Sequence, residues 1–276
     1  MLWLPGEALG SPMRTRDDIA GFLINLDRSP DRLRASARQL DDLGLSWSRV
    51  SAFDGQVADP ALWSGINRGR FESNVGRPIT ASEIALHLSH GAAMRAFEQS
   101  SARFGVIFED DLFIDDIAAF RDVVAALMRH CDAWDIVKLS GVHRNPLPVP
   151  LLRLREKYML GAPLLKTTSA VAYMMNHRAA KAVLASLEPI DDHFDHRFDQ
   201  PWRYALRYRV VTPFPVREQP ATPSTLDYSK RAAKFALFRR RKALYYRMSI
   251  GLQRLAYNAR QGFFVFSLLE IARRMG

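Results

Sequence analysis

Apolar positions along the chain come in two patterns, short continuous runs and stripes of three- to four-residue spacing, and the two alternate. Ile19-Ala-Gly-Phe-Leu-Ile-Asn-Leu26 is a run of the first kind, stopped by Asp27-Arg28-Ser29-Pro30, and predicts a buried strand. Ser29 is a good helix N-cap and Pro30 suits the first helical position. Leu33, Ala37, Leu40 and Leu43 then mark one helical face up to Gly44. Trp47 to Phe53 predicts a second strand ending at Asp54-Gly55. A strand, helix and strand in this order favour a sheet with parallel strands over an all-helical fold.

The alternation continues. Thr80-Ala-Ser-Glu83 has the spacing of a capping box, and Ile84, Leu88 and Ala92 carry a helical stripe to about Phe97. Gly105-Val-Ile-Phe108 predicts a strand that runs directly into Glu109-Asp110-Asp111. A helix is expected from Ile117 to His130 and a strand from Asp135 to Leu139. Prolines and scattered bases between Gly141 and Pro163 predict a long surface loop. Ser169 to Met175 reads as a strand, His177 to Leu187 as a helix, and Glu188 to Gln200 as an acidic loop with two histidines. A last strand at Arg209 to Thr212 leads into a proline-rich stretch, and from Ser229 onward the composition is helical.

Composition is that of an ordinary globular protein: 276 residues, 48% hydrophobic and 25% charged, enough for a large core. One cysteine, Cys131, excludes an internal disulfide and a cysteine-based zinc site, so a metal must bind through oxygen or imidazole. The net charge of +10 changes the picture only once it is located. Residues 230–276 hold 12 Lys or Arg and one acid, Glu270, whereas residues 1–229 are close to neutral. We therefore expect two units, residues 1–228 and a basic amphipathic helical tail at 229–276. No apolar run reaches the ~20 residues of a membrane span, and the start lacks the pattern of an export signal. A cytoplasmic protein is expected, peripheral on the cytoplasmic face of the inner membrane.

Three adjacent acids at a strand end repel one another unless a cation neutralises them, and Mg²⁺ or Mn²⁺ suits carboxylates and diphosphate oxygens. By spacing alone Glu109, Asp110 and Asp111 fit such a site and a solvated turn equally well. His87 and His90 share a helix side but have no third ligand beside them for zinc, which favours structural roles. Asp191, Asp192, Asp195 and Asp199, with His193 and His196, form a second acidic cluster. It is either a solvated loop or the source of a general base.

Ile24-Asn-Leu-Asp-Arg-Ser-Pro-Asp-Arg32, Leu43-Gly44-Leu45 and Ala52-Phe-Asp-Gly55 resemble the opening of glycosyltransferase family 25, the bacterial lipooligosaccharide transferases related to collagen galactosyltransferases. Thr80 to Glu83, Leu88-Ser-His90, Val106 to Asp111, Trp134 to Val137, Ser169 to Met175 and Pro189-Ile-Asp191 follow in similar order and spacing. Ser82-Glu-Ile-Ala-Leu86 departs from the family's usual Gly-Glu-Ile-Gly-Cys but keeps Glu83. The resemblance implies an α/β fold, a GT-A-type nucleotide-sugar-binding sandwich with a mixed, mostly parallel sheet. It implies Asp111 as direct metal ligand, Glu109 near the metal or ribose, and Asp110 in the same motif. Asn25, Arg28 and Arg32 would lie near the nucleotide, Asp54 near the base, and Glu83, Ser89 and His90 along the site.

Expected from this is a metal-dependent inverting transferase that moves a hexose from a UDP-sugar, galactose before glucose, to a lipopolysaccharide-type acceptor. Inversion needs a carboxylate to accept the acceptor hydroxyl's proton. Asp191 is the first candidate, with Asp192 and Asp195 behind it. The tail is expected to contact an anionic membrane through Phe235, Phe238, Tyr245, Met248, Leu252 and Leu255, flanked by Lys234, Arg239, Arg240, Arg241, Lys242, Arg247 and Arg254. A non-catalytic membrane- or nucleic-acid-binding protein with a degenerate transferase body is the alternative. The neutral body argues against nucleic acid as a partner.

Overall fold

The computed structural model describes residues 18–57, 63, 65–141, 148–219 and 237–263, with side chains in the last helix described from residue 242. Strand β1 (Ile19–Asn25), helix α1 (Pro30–Leu43) and strand β2 (Trp47–Ser51) form the expected opening unit, with β1 and β2 parallel. Ser29 does occupy the N-cap of α1, but its side chain makes no capping bond, and Pro30 alone shapes that start. Gly44 closes the helix in the left-handed conformation, with φ 67°.

Helix α2 (Arg68–Val75) precedes helix α3 (Ala81–Glu98), where both halves of the Thr80–Glu83 capping box are present. Strand β3 (Phe104–Glu109) pairs in parallel with β1, and the short β4 (Leu112–Ile114) follows the acidic triplet. After helix α4 (Ile117–Arg129) come strand β5 (Ile136–Lys138), β6 (Val149–Arg155) and β7 (Tyr158–Ala162). The last two form an antiparallel hairpin where the sequence predicts a loop. The chain then adds β8 (Ala172–Asn176), α5 (His177–Ala185), the one-turn α6 (Phe194–Phe198), β9 (Tyr208–Thr212), β10 (Val216–Glu218) and α7 (Leu237–Arg260).

Eight strands make one sheet in the order β2-β1-β3-β8-β5-β9-β7-β6, and β10 pairs with β4 in a small second sheet. Six of the eight run in one direction, while β7 and β8 oppose them, so the sheet is mixed and mostly parallel in sense. Its outer edge β6 carries Pro150 and two register irregularities.

Alternation along the strands feeds two cores. Leu23, Val106 and Phe108 face α1 and α4 with Leu40, Phe120, Val123 and Leu127, whereas Phe22, Ile24 and Ile107 face α3 and α5 with Met94, Phe97 and Val183. Gly105 lets the fully buried Phe97 lie on β3, since a Cβ there would stand 2.6 Å from the ring. Burying a side chain of that size stabilises the fold by about 2–3 kcal/mol. The result is the α/β sandwich with a mixed, mostly parallel sheet that the resemblance implies, with the carboxyl ends of β1 and β3 side by side.

The tail expected at residues 229–276 is described in part. Its boundary near residue 229, and Lys234 and Phe235, lie outside the described residues, as do the side chains of Phe238, Arg239, Arg240 and Arg241. From residue 242 on, α7 has two faces. The inner one docks on the body: Tyr257 Oη donates to Leu206 O at 3.0 Å, Asn258 Nδ2 to Leu164 O at 3.1 Å, and Arg254 pairs with Asp199 at 3.0 Å. Arg254 is thus buried and does not flank a lipid-facing stripe. The outer face leaves Leu244, Tyr245, Met248 and Leu252 each more than half exposed.

Candidate active-site cleft

A cleft of about 520 Å³ opens where β1 and β3 end. Register places Ile24 opposite Glu109, which brings Asn25 beside Asp110. Asn25 Nδ2 donates to Asp110 Oδ2 at 2.6 Å, and Arg49 Nε donates to Asn25 Oδ1 at 3.0 Å, so the carboxamide is held from both sides. Ser36 Oγ donates to the Asp110 carbonyl at 2.9 Å, tying α1 to the triplet. From the first turn of the same helix, Arg32 reaches Asp110 Oδ1 at 2.5 Å and Asp111 Oδ2 at 3.0 Å.

Asp111 Oδ1 is buried and has no partner among the described residues. Burial, then Glu109, pushes the Asp111 carboxyl up to about 7, and burial, then Asp110, raises Glu109 to about 7. Two carboxylates held so close resist ionising together until a cation joins them. Among the described residues no group of three His, Cys, Asp or Glu is arranged around a metal position. One or two protein carboxylates completed by phosphate oxygens and water are nevertheless a usual Mg²⁺ arrangement, and the free Asp111 oxygen fits it.

Beneath the acids lies a buried relay. His90 is completely buried, stacked at 4.1 Å on Phe194, and burial pushes its imidazole down to about 3. The neutral ring assigns its protons from its neighbours: Tyr173 Oη donates to Nδ1 at 3.0 Å, leaving Nε2–H to donate to Glu109 Oε1 at 3.2 Å. Lys138, also fully buried, donates to Thr168 O at 3.4 Å and is pushed down to about 8 by burial. Sequence reasoning missed Lys138; a lysine inside the otherwise apolar stretch Ile136 to Leu139 was the available signal.

Across the cleft, Arg28 Nε donates to Asp54 Oδ2 at 2.5 Å, and this bond holds the carboxyl below its usual range. Gly55 packs so closely on the start of α3 that a Cβ would lie 2.6 Å from the backbone nitrogen of Ser82. Ser89 Oγ accepts from the backbone of Phe53 at 2.9 Å, which presents the Phe53 ring, 44% exposed, at the cleft. Phe53 was the second residue missed. Glu83 lines the cleft but is fully engaged: Arg77 bonds both oxygens, at 2.8 and 2.5 Å, and His193 Nδ1 lies 2.9 Å away. Its carboxyl is burdened by burial, yet Arg77 and His193 outweigh that and hold it far below the usual range. Glu83 therefore braces the wall.

The second acidic cluster divides. Asp191 is 3% exposed, does not line the cleft, and is paired with Arg197 at 2.5 Å and Arg70 at 3.2 Å. An inward-facing carboxylate paired with two arginines is less open to an acceptor than one that lines the cleft. Asp192 is 2% exposed, accepts from Tyr246 Oη at 2.7 Å, and ties α7 to the body. Asp195 alone of the three lines the cleft. Burial would raise its carboxyl, but His196, His193, Lys166 and Lys138 outweigh that and keep it below its usual range, hence ionised. Asn25, Arg28, Arg32, Asp54, Glu83, Ser89, Glu109, Asp110 and Asp111 are gathered around the same space, with His90 under its floor.

Residues 19–199 match the model of glycosyltransferase family 25, described as an LPS biosynthesis protein. The chain is 26% identical over 196 residues to the "probable inactive glycosyltransferase 25 family member 3" of Bos taurus, covering 65% of this chain and 31% of that protein. It is 23% identical over 198 residues to "procollagen galactosyltransferase 1-A" of Xenopus laevis, again covering 65% and 31%. The chain thus spans about a third of the length of the curated relatives it matches. Among solved structures, a glycosyltransferase involved in glycosylation of the PBCV-1 major capsid aligns at a TM-score of 0.41 and 8% identity, over 83% of this chain and 98% of that one. TarS 1–349 of S. aureus aligns at 0.47 and 11%, over 94% and 92%.

Proposed function

Because the chain belongs to glycosyltransferase family 25, we propose that the cleft binds a UDP-hexose and transfers the sugar with inversion to a lipid-borne oligosaccharide of the lipopolysaccharide type. The observation that carries this reading is the triplet at the end of β3, where Asp111 keeps a buried, unpartnered oxygen beside Glu109. A divalent cation, Mn²⁺ or Mg²⁺, held there by Asp111 and Glu109 would neutralise the departing diphosphate. The Phe53 ring and the Arg28–Asp54 pair supply a face and polar edges for the uracil and ribose. Asn25 and Arg32 fix the triplet, and His90 orients Glu109 from below.

In the transfer, the acceptor hydroxyl oxygen forms a bond to the sugar's C1 as the bond from C1 to the diphosphate oxygen breaks. The hydroxyl proton passes to Asp195, and the bonding pair leaves with UDP. Galactose is the preferred donor sugar and glucose the alternative; the two differ only at C4, which one hydrogen bond can distinguish.

No helix among the described residues is long and apolar enough to cross a membrane. The outer stripe Leu244, Tyr245, Met248 and Leu252, with exposed Lys242 and Arg260 around it, suits the surface of an anionic bilayer, where a lipid-linked acceptor would reside on the cytoplasmic face. Several relatives are named inactive, so the deciding experiment measures both binding and turnover. UDP-galactose and UDP-glucose are each titrated with Mn²⁺, and sugar release is followed. Binding of one with metal-dependent hydrolysis supports the reading; binding without turnover leaves a nucleotide-sugar-binding protein, and no binding of either refutes it.

A further inference from the structure

Four arginines line the cleft, Arg28, Arg32, Arg77 and Arg247. Three are engaged by the protein's own acids: Arg28 by Asp54, Arg32 by Asp110 and Asp111, and Arg77 by Glu83. Arg247 makes no hydrogen bond or ion pair among the described residues, and its side chain is exposed. It lies well beyond residue 199, where the family match ends, so that match assigns it nothing. Its backbone is nonetheless fixed in place. The preceding residue, Tyr246, donates to Asp192 at 2.7 Å, and Arg254, two turns along, is clamped on Asp199.

A guanidinium anchored at its base and unpaired at its tip presents a planar fork of donors that matches phosphate oxygens. The surrounding wall makes this arrangement specific. Asp195, Glu218 and the triplet give the cleft an acidic lining that would repel a phosphoryl group wherever no unpaired cation met it. We propose that Arg247 is a phosphate-binding residue that α7 contributes to the cleft. The phosphoryl group belongs either to the diphosphate of the donor or to a phosphate carried by the acceptor; the assignment of a donor rests on the function proposed above, whereas anion binding itself does not.

The test uses the full chain with Arg247→Gln and Arg247→Lys, each compared with the wild type by thermal melting to establish that the fold is retained. Inorganic pyrophosphate is titrated calorimetrically in Mg²⁺ buffer. We expect the wild type to bind it, Arg247→Gln to bind about tenfold more weakly, as for loss of a charged hydrogen bond, and Arg247→Lys to fall between. Parallel titrations with UDP identify the source. A matching loss for UDP assigns the donor diphosphate, and a loss for pyrophosphate with UDP affinity retained assigns the acceptor phosphate. Arg247-dependent pyrophosphate binding by a protein that ignores UDP supports this inference while refuting the proposed donor. Equal pyrophosphate affinity in wild type and Arg247→Gln, or no binding by either, overturns it.

Discussion

Arg32 holds the Asp111 carboxylate at 3.0 Å, and the same nitrogen lies 2.5 Å from Asp110. The chain therefore carries its own counter-ion at the place proposed for a divalent cation, and the two positive charges compete. A like-charge contact costs between ~1 and ~4 kcal/mol at such separations, depending on exposure. Arg32→Gln should accordingly tighten nucleotide-free Mn²⁺ binding about tenfold at pH 8, as read by electron paramagnetic resonance. Unchanged or weaker Mn²⁺ binding would count against the competition.

Asp191 and Asp195, four residues apart, should behave oppositely. Asp191→Ala leaves the buried Arg197 guanidinium without its acid, and should lower unfolding free energy by about 3 kcal/mol, as when one partner of a buried pair is removed. Asp195→Asn should keep stability and UDP affinity while slowing transfer by about 10²-fold or more, the usual contribution of a general base. Denaturant melts and single-turnover transfer rates separate the two cases. A fully active Asp195→Asn enzyme removes Asp195 from the chemistry.

His87 gives a pH prediction away from the proposed metal site. It is 1% exposed, its Nε2–H donates to Leu187 O at 2.9 Å, and burial pushes its pKa down to about 4. The unfolded chain then binds a proton more readily than the native one between pH 6.5 and 4. Its contribution is fully present above 6.5 and is lost as pH falls, reaching about 3 kcal/mol at pH 4. Urea melts of the wild type and His87→Gln at pH 7 and pH 4.5 should show the wild type losing ground on acidification. Parallel pH profiles would contradict it.

Docking of α7 on the body changes how membrane contact is tested. Deleting the tail would also remove Tyr246, Arg247 and Arg254 from the fold, so truncation cannot isolate the outer stripe. Tyr245→Ser, Met248→Ser and Leu252→Ser combined touch only exposed positions. The triple variant should lose most of its binding to phosphatidylglycerol vesicles, each apolar side chain contributing about 1 kcal/mol or more, with UDP affinity unchanged. Vesicle binding equal to wild type would place the contact elsewhere.

What the sequence revealed was local. The capping box at Thr80 and Glu83, the opening strand and helix, and the acids ending β3 are each written in neighbouring residues, and each is found. What it hid was tertiary. Asp191 stands in the expected motif, but its role depends on Arg197 folding back on it from α6. The β6–β7 hairpin was obscured because an edge strand tolerates prolines and bases that disqualify a central one. Arg254 and Arg247 look alike in a basic tail, and only the docking of α7 turns one into the fold and the other toward the cleft.

The proline and the broken register of β6 also bear on how copies of the protein meet in a crowded cell. A regular outer strand offers a row of free amide and carbonyl groups to any passing strand and so invites aggregation. Here Pro150 withholds one donor, and irregularities on both sides of Leu152 and Arg153 spoil the repeat that another chain would need to match. Both features make that edge a poorer template for another strand, which favours a protein that can be concentrated without pairing edge to edge.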